Sequence, residues 1–213
     1  MAEAEPAGRS ELAQRVISAV IMASAAILLA WWGGWPFAIV WGLIGGVALW
    51  EWSRLIGGMA SPGWLAVGAV YAGVIMLGTL AVRGSGALGF IAILFMFAVV
   101  WLTDIGAYFA GRTFGGPKFA PRISPKKTWS GVLGGLAAGI LGGCAMLAVA
   151  GVPLRPAHGL LALGLGMLVV AGDLFESFLK RRFGVKDAGA LIPGHGGVLD
   201  RLDGYTFAIG AAA

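Results

Sequence analysis

The chain has 213 residues, of which 59% are hydrophobic and only 12% charged, and its mean hydropathy is +0.88. A water-soluble domain carries about twice that share of charge, so a soluble globule is excluded, and the high apolar content excludes a disordered chain. Cys144 is the only cysteine, which rules out a disulfide scaffold. The 37 glycines lack the three-residue period of collagen. A net charge of +5 is too small to point to nucleic acid without a concentrated basic patch, and it suits basic side chains lying at a membrane surface. The chain reads as an integral membrane protein.

About 20 apolar residues are needed to cross the hydrocarbon core as a helix. In chain order the candidates are residues 16–32, 36–50, 64–82, 87–110, 130–151 and 160–178. The first two are short and separated by residues 33–35, so they are expected to form a tight helical hairpin. The runs are continuous rather than alternating, which favours helices over barrel strands. The expected fold is therefore all-α and polytopic, with about six spans and a short packed C-terminal helix or part-span over 204–213. Glu3, Glu5 and Glu11 precede the first run and a second follows almost at once, so an uncleaved helix is preferred to a signal peptide. Gly42/Gly46 and Gly135/Gly139/Gly143 stand at near-helical spacing and suit close helix packing. Trp31, Trp32, Trp50, Trp52, Trp64 and Trp129 fall near span ends, where interfacial anchors belong.

With the N-terminus inside, every lysine and arginine except Arg83 and Arg155 falls on the cytoplasmic side. That bias supports an even number of spans before Lys180. The chain divides into an N-terminal hydrophobic region, 1–86, and a region holding the charged motifs, 87–213.

Ionisable residues inside spans cost about 2.5–3.5 kcal/mol on insertion scales and usually face a polar cavity. Asp104 lies near the end of the fourth run, and Asp173 and Glu176 near the end of the sixth. All three sit toward the same side, which favours one shared site over separate interfacial carboxylates. Asp173, Glu176 and Lys180 are spaced by three and four and share a helix face. Asp200 and Asp203 repeat the spacing of three, after a turn containing Pro193, Gly194, Gly196 and Gly197. Such a pair suits a hard cation such as Mg²⁺ held partly by substrate phosphates, and equally suits acidic residues at a helix start. The loop 111–129 places Arg112, Lys118, Arg122, Lys126 and Lys127 among glycines and prolines. It can contact phosphate, or simply anchor the chain by positive charge. The hydroxyls of Ser124 and Thr128 around Lys126 and Lys127 are less easily explained by anchoring alone.

The segment 177–203 is more specific. Ser177, Lys180, Arg181, Lys186, Asp187, Pro193, His195, Gly196, Gly197, Asp200, Arg201 and Asp203 resemble, position by position, the signature of phosphatidate cytidylyltransferases, also called CDP-diacylglycerol synthases. Thr103 to Tyr108 and Ser124 to Thr128 resemble two further motifs of that family, in the same order. The likeness covers 101–203 well and 1–100 only as a hydrophobic pattern. The chain is shorter than is usual for the family, and little membrane segment follows Asp203.

The resemblance implies transfer of the cytidylyl group of CTP to phosphatidate, giving CDP-diacylglycerol and pyrophosphate. It implies Mg²⁺ held by Asp173 and Asp200, with Glu176 nearby and Asp104 and Asp203 shaping the site or a second cation position. Lys126, Lys127, Lys180, Arg181, Lys186 and Arg201 would bind phosphates, helped by Arg112, Lys118 and Ser124. His195 would orient a phosphate, carry a proton, or serve the glycine turn. A cytosol-facing site in a bacterial inner membrane follows, with a homodimer as one arrangement and no nucleic acid as partner. A CTP-dependent lipid kinase and a membrane transporter are the rival readings. The transporter predicts charge spread through the membrane depth, whereas here it clusters on one side.

Overall fold

The structure is a computed structural model that describes residues 7–58, 61–189, 191 and 196–213, with side chains described from residue 16 onward. It is a helical bundle. α1 (Ala7–Trp32) turns at Gly33 into α2 (Gly34–Leu55). Gly33 adopts φ +68°, which favours glycine, and the Arg83 guanidinium lies against it. Arg83 Nε also donates to the Ala30 carbonyl at 2.6 Å, tying the hairpin to the third span. That span runs from Pro62 to Arg83 as α3 (Pro62–Gly73), a π-helical turn (Val74–Gly78) and α4 (Thr79–Arg83). A 3₁₀ turn (Gly86–Leu88) leads into α5 (Gly89–Phe114), followed by α6 (Trp129–Val149), α7 (Pro156–Arg182) and α8 (Leu199–Ala212).

Among the described residues, five helices are long and apolar enough to cross a membrane, and Val16–Trp32 is a shorter apolar helix. The polytopic all-α expectation holds. Side chains such as Val20, Leu43, Leu141 and Leu160 project outward and are exposed, as lipid-facing residues of a bundle must be. The C-terminal helix begins earlier than 204, since Leu199 to Asp203 form its first turn.

Two expectations are corrected. The basic loop is not a simple turn: β1 (Lys118–Ala120) and β2 (Ser124–Thr128) pair antiparallel, with Lys118 opposite Thr128 and Ala120 opposite Ser124. The hairpin ends on Thr128, whose side chain accepts the Gly131 N–H at 3.2 Å and caps α6. Trp52 is not an interfacial anchor. It is buried, donates its indole N–H to the Trp64 carbonyl at 2.8 Å and packs against Gly68, where a side chain would strike its ring. Buried tryptophan needs such a partner for its N–H.

Glycine lets the helices that bear the charged motifs approach closely. A side chain at Gly139 of α6 would strike Thr103 of α5, and one at Gly172 of α7 would strike the Asp203 carbonyl of α8. α8 is also fixed from the N-terminal half. The Tyr205 ring stacks on Trp41 with centroids 5.4 Å apart, and its hydroxyl hydrogen-bonds Thr79 at 2.8 Å.

Candidate active site

Elements α5, β2, α7 and α8 converge on one cluster of charged side chains. The helical spacing on α7 works as expected for Glu176 and Lys180, which form an ion pair at 2.8 Å. Lys180 reaches across to Asp200 of α8 as well, at 2.5 Å. Asp173, one turn earlier, is paired instead with Lys127 of β2. In the resting cluster two lysines are shared among three carboxylates: Lys127 pairs with Asp173, while Lys180 pairs with both Glu176 and Asp200.

Asp200 is also held by backbone. Its carboxylate accepts the Gly197 N–H at 2.7 Å and the Ala188 N–H at 3.1 and 3.2 Å. Burial pushes the Asp200 carboxyl up, but the hydrogen bonds from Glu176, Lys180, Gly197 and Ala188 outweigh it and hold the group below its ordinary value. Gly196 adopts φ +81° beside this carboxylate, and a Cβ there would lie 2.6 Å from Asp200 Oδ2. Gly196 and Gly197 are therefore fitted closely against Asp200.

Asp203 sits one turn on, accepts the Gly204 N–H at 2.8 Å, and its carbonyl accepts the Tyr71 hydroxyl at 3.3 Å. Burial and the negative charge of Asp173 push the Asp203 carboxyl up to about 6, against the pull of the Gly204 N–H, Lys127 and Lys180. Asp104 of α5 lies within electrostatic reach of Asp203, Asp173, Lys127 and Arg201. Glu176 is buried with its Oε1 lacking a hydrogen-bond partner among the described residues.

Beside the carboxylates opens a basic cavity of about 400 Å³, lined by Ser124 and Lys126 of β2, Ser177, Lys180 and Arg181 of α7, and Lys186. Arg181 Nε donates to the Ile123 carbonyl, which fixes the hairpin over the end of α7. Lys180 belongs to both regions, since it lines the cavity and pairs with the carboxylates. Four or more cationic and hydroxyl donors around one concavity suit a polyphosphate.

Most of the residues singled out in the sequence come together here. Arg112 and Lys118 do not line the cavity: both are exposed, and Arg112 Nη1 donates to Tyr108 at 2.9 Å. His195 and Pro193 lie outside the described residues. Sequence reasoning missed Glu51, a buried carboxylate of α2 whose Oε2 accepts the Leu199 N–H at 2.8 Å. Its only sequence signal is a lone acidic residue at the end of an apolar run.

The donor set fits a hard divalent cation, with a condition. Asp104, Asp173 and Asp203 lie within electrostatic reach of one another, and a cation among them would relieve their mutual repulsion. Among the described residues, however, no three His, Cys, Asp or Glu side chains are grouped so as to hold a metal ion themselves. Phosphate or water would have to complete the shell, which is how Mg²⁺ is ordinarily held.

A family model described as the cytidylyltransferase family matches residues 59–213. The chain belongs to that family. It is accordingly a nucleotidyltransferase, and the matched region contains every charged side chain of the cluster and the basic cavity. Among similar proteins, the phosphatidate cytidylyltransferase of Brucella suis is 40% identical over 245 aligned residues, covering 93% of this chain and 91% of that protein. That of Bacillus subtilis is 38% identical over 146 residues, covering 68% of this chain and 54% of its own. That of Haemophilus influenzae is 44% identical over 126 residues, covering 57% and 44%.

Proposed function

We propose that this cytidylyltransferase transfers the cytidylyl group of CTP to phosphatidate, releasing pyrophosphate and leaving CDP-diacylglycerol in the membrane. The observation that carries the reading is the junction of a basic, hydroxyl-lined cavity with a carboxylate cluster at one end of a membrane-spanning bundle. Near full-length likeness to a phosphatidate cytidylyltransferase supports the same substrates.

The chemistry needs no nucleophile from the protein. A phosphate oxygen of phosphatidate attacks the α-phosphorus of CTP, the bond to the β-phosphate oxygen breaks, and pyrophosphate departs. The protein has to bring two polyanions together and stabilise the charge that develops on the phosphoryl oxygens. Lys126, Arg181 and Lys186 attract the triphosphate into the cavity, while Ser124 and Ser177 offer hydroxyl donors. Lys127 and Lys180 are shared with carboxylates in the resting cluster. An arriving phosphate competes for both lysines and frees Asp173 and Asp200 to accept a cation. Asp173 and Asp200, with Asp104 and Asp203 as further carboxylates, would hold Mg²⁺, which when bound would neutralise charge on the triphosphate and on the leaving pyrophosphate. Arg201 contributes a further cation beside Asp104.

Nucleotide and metal are then expected to bind together. In detergent-purified protein at about pH 8, Mg²⁺ should strengthen CTP binding about tenfold or more, since each frees the other's partner. Equal affinity in chelator would contradict this. The gain has a pH dependence whose sign follows from Asp203. Its folded value, about 6, lies above that of a free carboxyl, so lowering the pH through 6 adds a proton that a cation must displace. Mg²⁺ affinity should fall below about pH 6 and level off above it.

We place the site on the cytosolic face of a bacterial inner membrane, because the basic residues cluster on that side. In right-side-out vesicles an impermeant thiol reagent should leave Lys118→Cys unlabelled in a Cys144→Ser background, and should label it once the vesicles are opened. Labelling of intact vesicles would reverse the orientation.

A further inference from the structure

Glu51 stands near the end of α2, outside the 59–213 stretch that the family model matches, and is 0% exposed. Its Oε2 accepts the N–H of Leu199, the first residue of α8. The first N–H groups of a helix have no partner within it, and a carboxylate there also meets the positive end of the helix dipole. The rest of the carboxylate is enclosed by backbone. A Cβ on Gly197 would fall 2.6 Å from both oxygens, and one on Gly189 would strike Oε1. Oε1 itself has no hydrogen-bond partner among the described residues.

Glu51 is thus wedged between α8 and the segment leading into it. That segment supplies the Ala188 and Gly197 N–H groups that hold Asp200, and α8 carries Asp200, Arg201 and Asp203. We infer that Glu51 is a positioning residue for cytidylyl transfer, pinning the amino end of α8, with Gly189 and Gly197 ahead of it, so that Asp200, Arg201 and Asp203 face α5 and α7. It acts through Leu199 and the two glycines, not on substrate. The inference rests on the assignment of Asp200 and Asp203 to the metal and phosphate site.

The test compares Glu51→Ala and Glu51→Gln with the unaltered protein in detergent. In metal-free protein, hydrogen exchange of the 197–204 amides should quicken about tenfold or more in Glu51→Ala, with α5 and α6 unchanged. In the loaded enzyme kcat should fall about tenfold or more while KM for phosphatidate stays within about twofold. Glu51→Gln keeps an acceptor for the Leu199 N–H and should recover most of both effects. A Gly197→Ala change drives a methyl into the carboxylate, so its cost should be smaller in a Glu51→Ala background than alone. Unchanged exchange in Glu51→Ala, loosening spread equally over all helices, or a Glu51→Gln protein as impaired as Glu51→Ala would each overturn the inference. Asp173→Asn, measured alongside, separates the two layers. Full activity there removes Asp173 from the metal site, while the exchange and kcat readouts of the Glu51 variants still test the anchor. An inactive Asp173→Asn beside a normal Glu51→Ala removes the anchor alone.

Discussion

Asp173→Asn is expected to abolish CDP-diacylglycerol synthesis while leaving a folded protein that still inserts. Asp173 is half-buried on α7, paired with Lys127, and within electrostatic reach of both Asp104 and Asp203. Asparagine keeps the volume and one acceptor oxygen but removes the charge that would hold Mg²⁺ on the triphosphate. Loss of a metal-binding carboxylate should reduce kcat about a thousandfold or more, equivalent to about 4 kcal/mol of transition-state stabilisation. Stability should change little, because Lys127 is left partly solvated rather than buried. The rate with saturating CTP and phosphatidate, set beside the thermal unfolding midpoint in detergent, checks both halves. A variant with the normal rate would remove Asp173 from the site.

Lys180→Met has the other large effect, and it should strike folding and chemistry together. Lys180 holds the buried Glu176 at 2.8 Å and Asp200 at 2.5 Å, and also lines the cavity. Methionine fills the space of the stem but strands two carboxylates. Removing one partner from a buried ion pair costs about 3–5 kcal/mol, and the lower end applies because the lysine retains some contact with solvent. The unfolding midpoint should drop by several degrees, and activity should vanish. A second change, Glu176→Gln, removes one stranded charge and should return much of the stability with none of the activity. Recovery of activity in the double variant would show that Lys180 serves only as a counterion.

The outline of this molecule could be read from its scarce charges. A chain with ten carboxylates and a membrane to cross does not scatter them, so Asp104, Asp173 and Glu176 at one depth already marked a site. The Glu176–Lys180 pair follows from helical spacing alone, and the pattern ending at Asp203 placed α8 beside it. What stayed hidden depends on contacts between distant parts of the chain. Asp173 pairs with Lys127 rather than with the lysine seven residues along its own helix, and no local rule chooses between them. The strand Ser124–Thr128 is short and holds a proline and two lysines, so it shows neither alternation nor β propensity. Trp52 looks like an interfacial residue until Gly68 makes room for its ring. Glu51 is the extreme case, since its partner is a backbone N–H 148 residues away, and backbone groups leave no mark in a sequence.

The most direct test is a product balance in detergent with the full chain, CTP, phosphatidate and either Mg²⁺ or chelator. With Mg²⁺, CDP-diacylglycerol and pyrophosphate should appear in equal amounts, and neither should form with chelator or with Asp173→Asn. CDP and a newly phosphorylated lipid without pyrophosphate, or undiminished synthesis in chelator, would contradict cytidylyl transfer by a carboxylate-held cation.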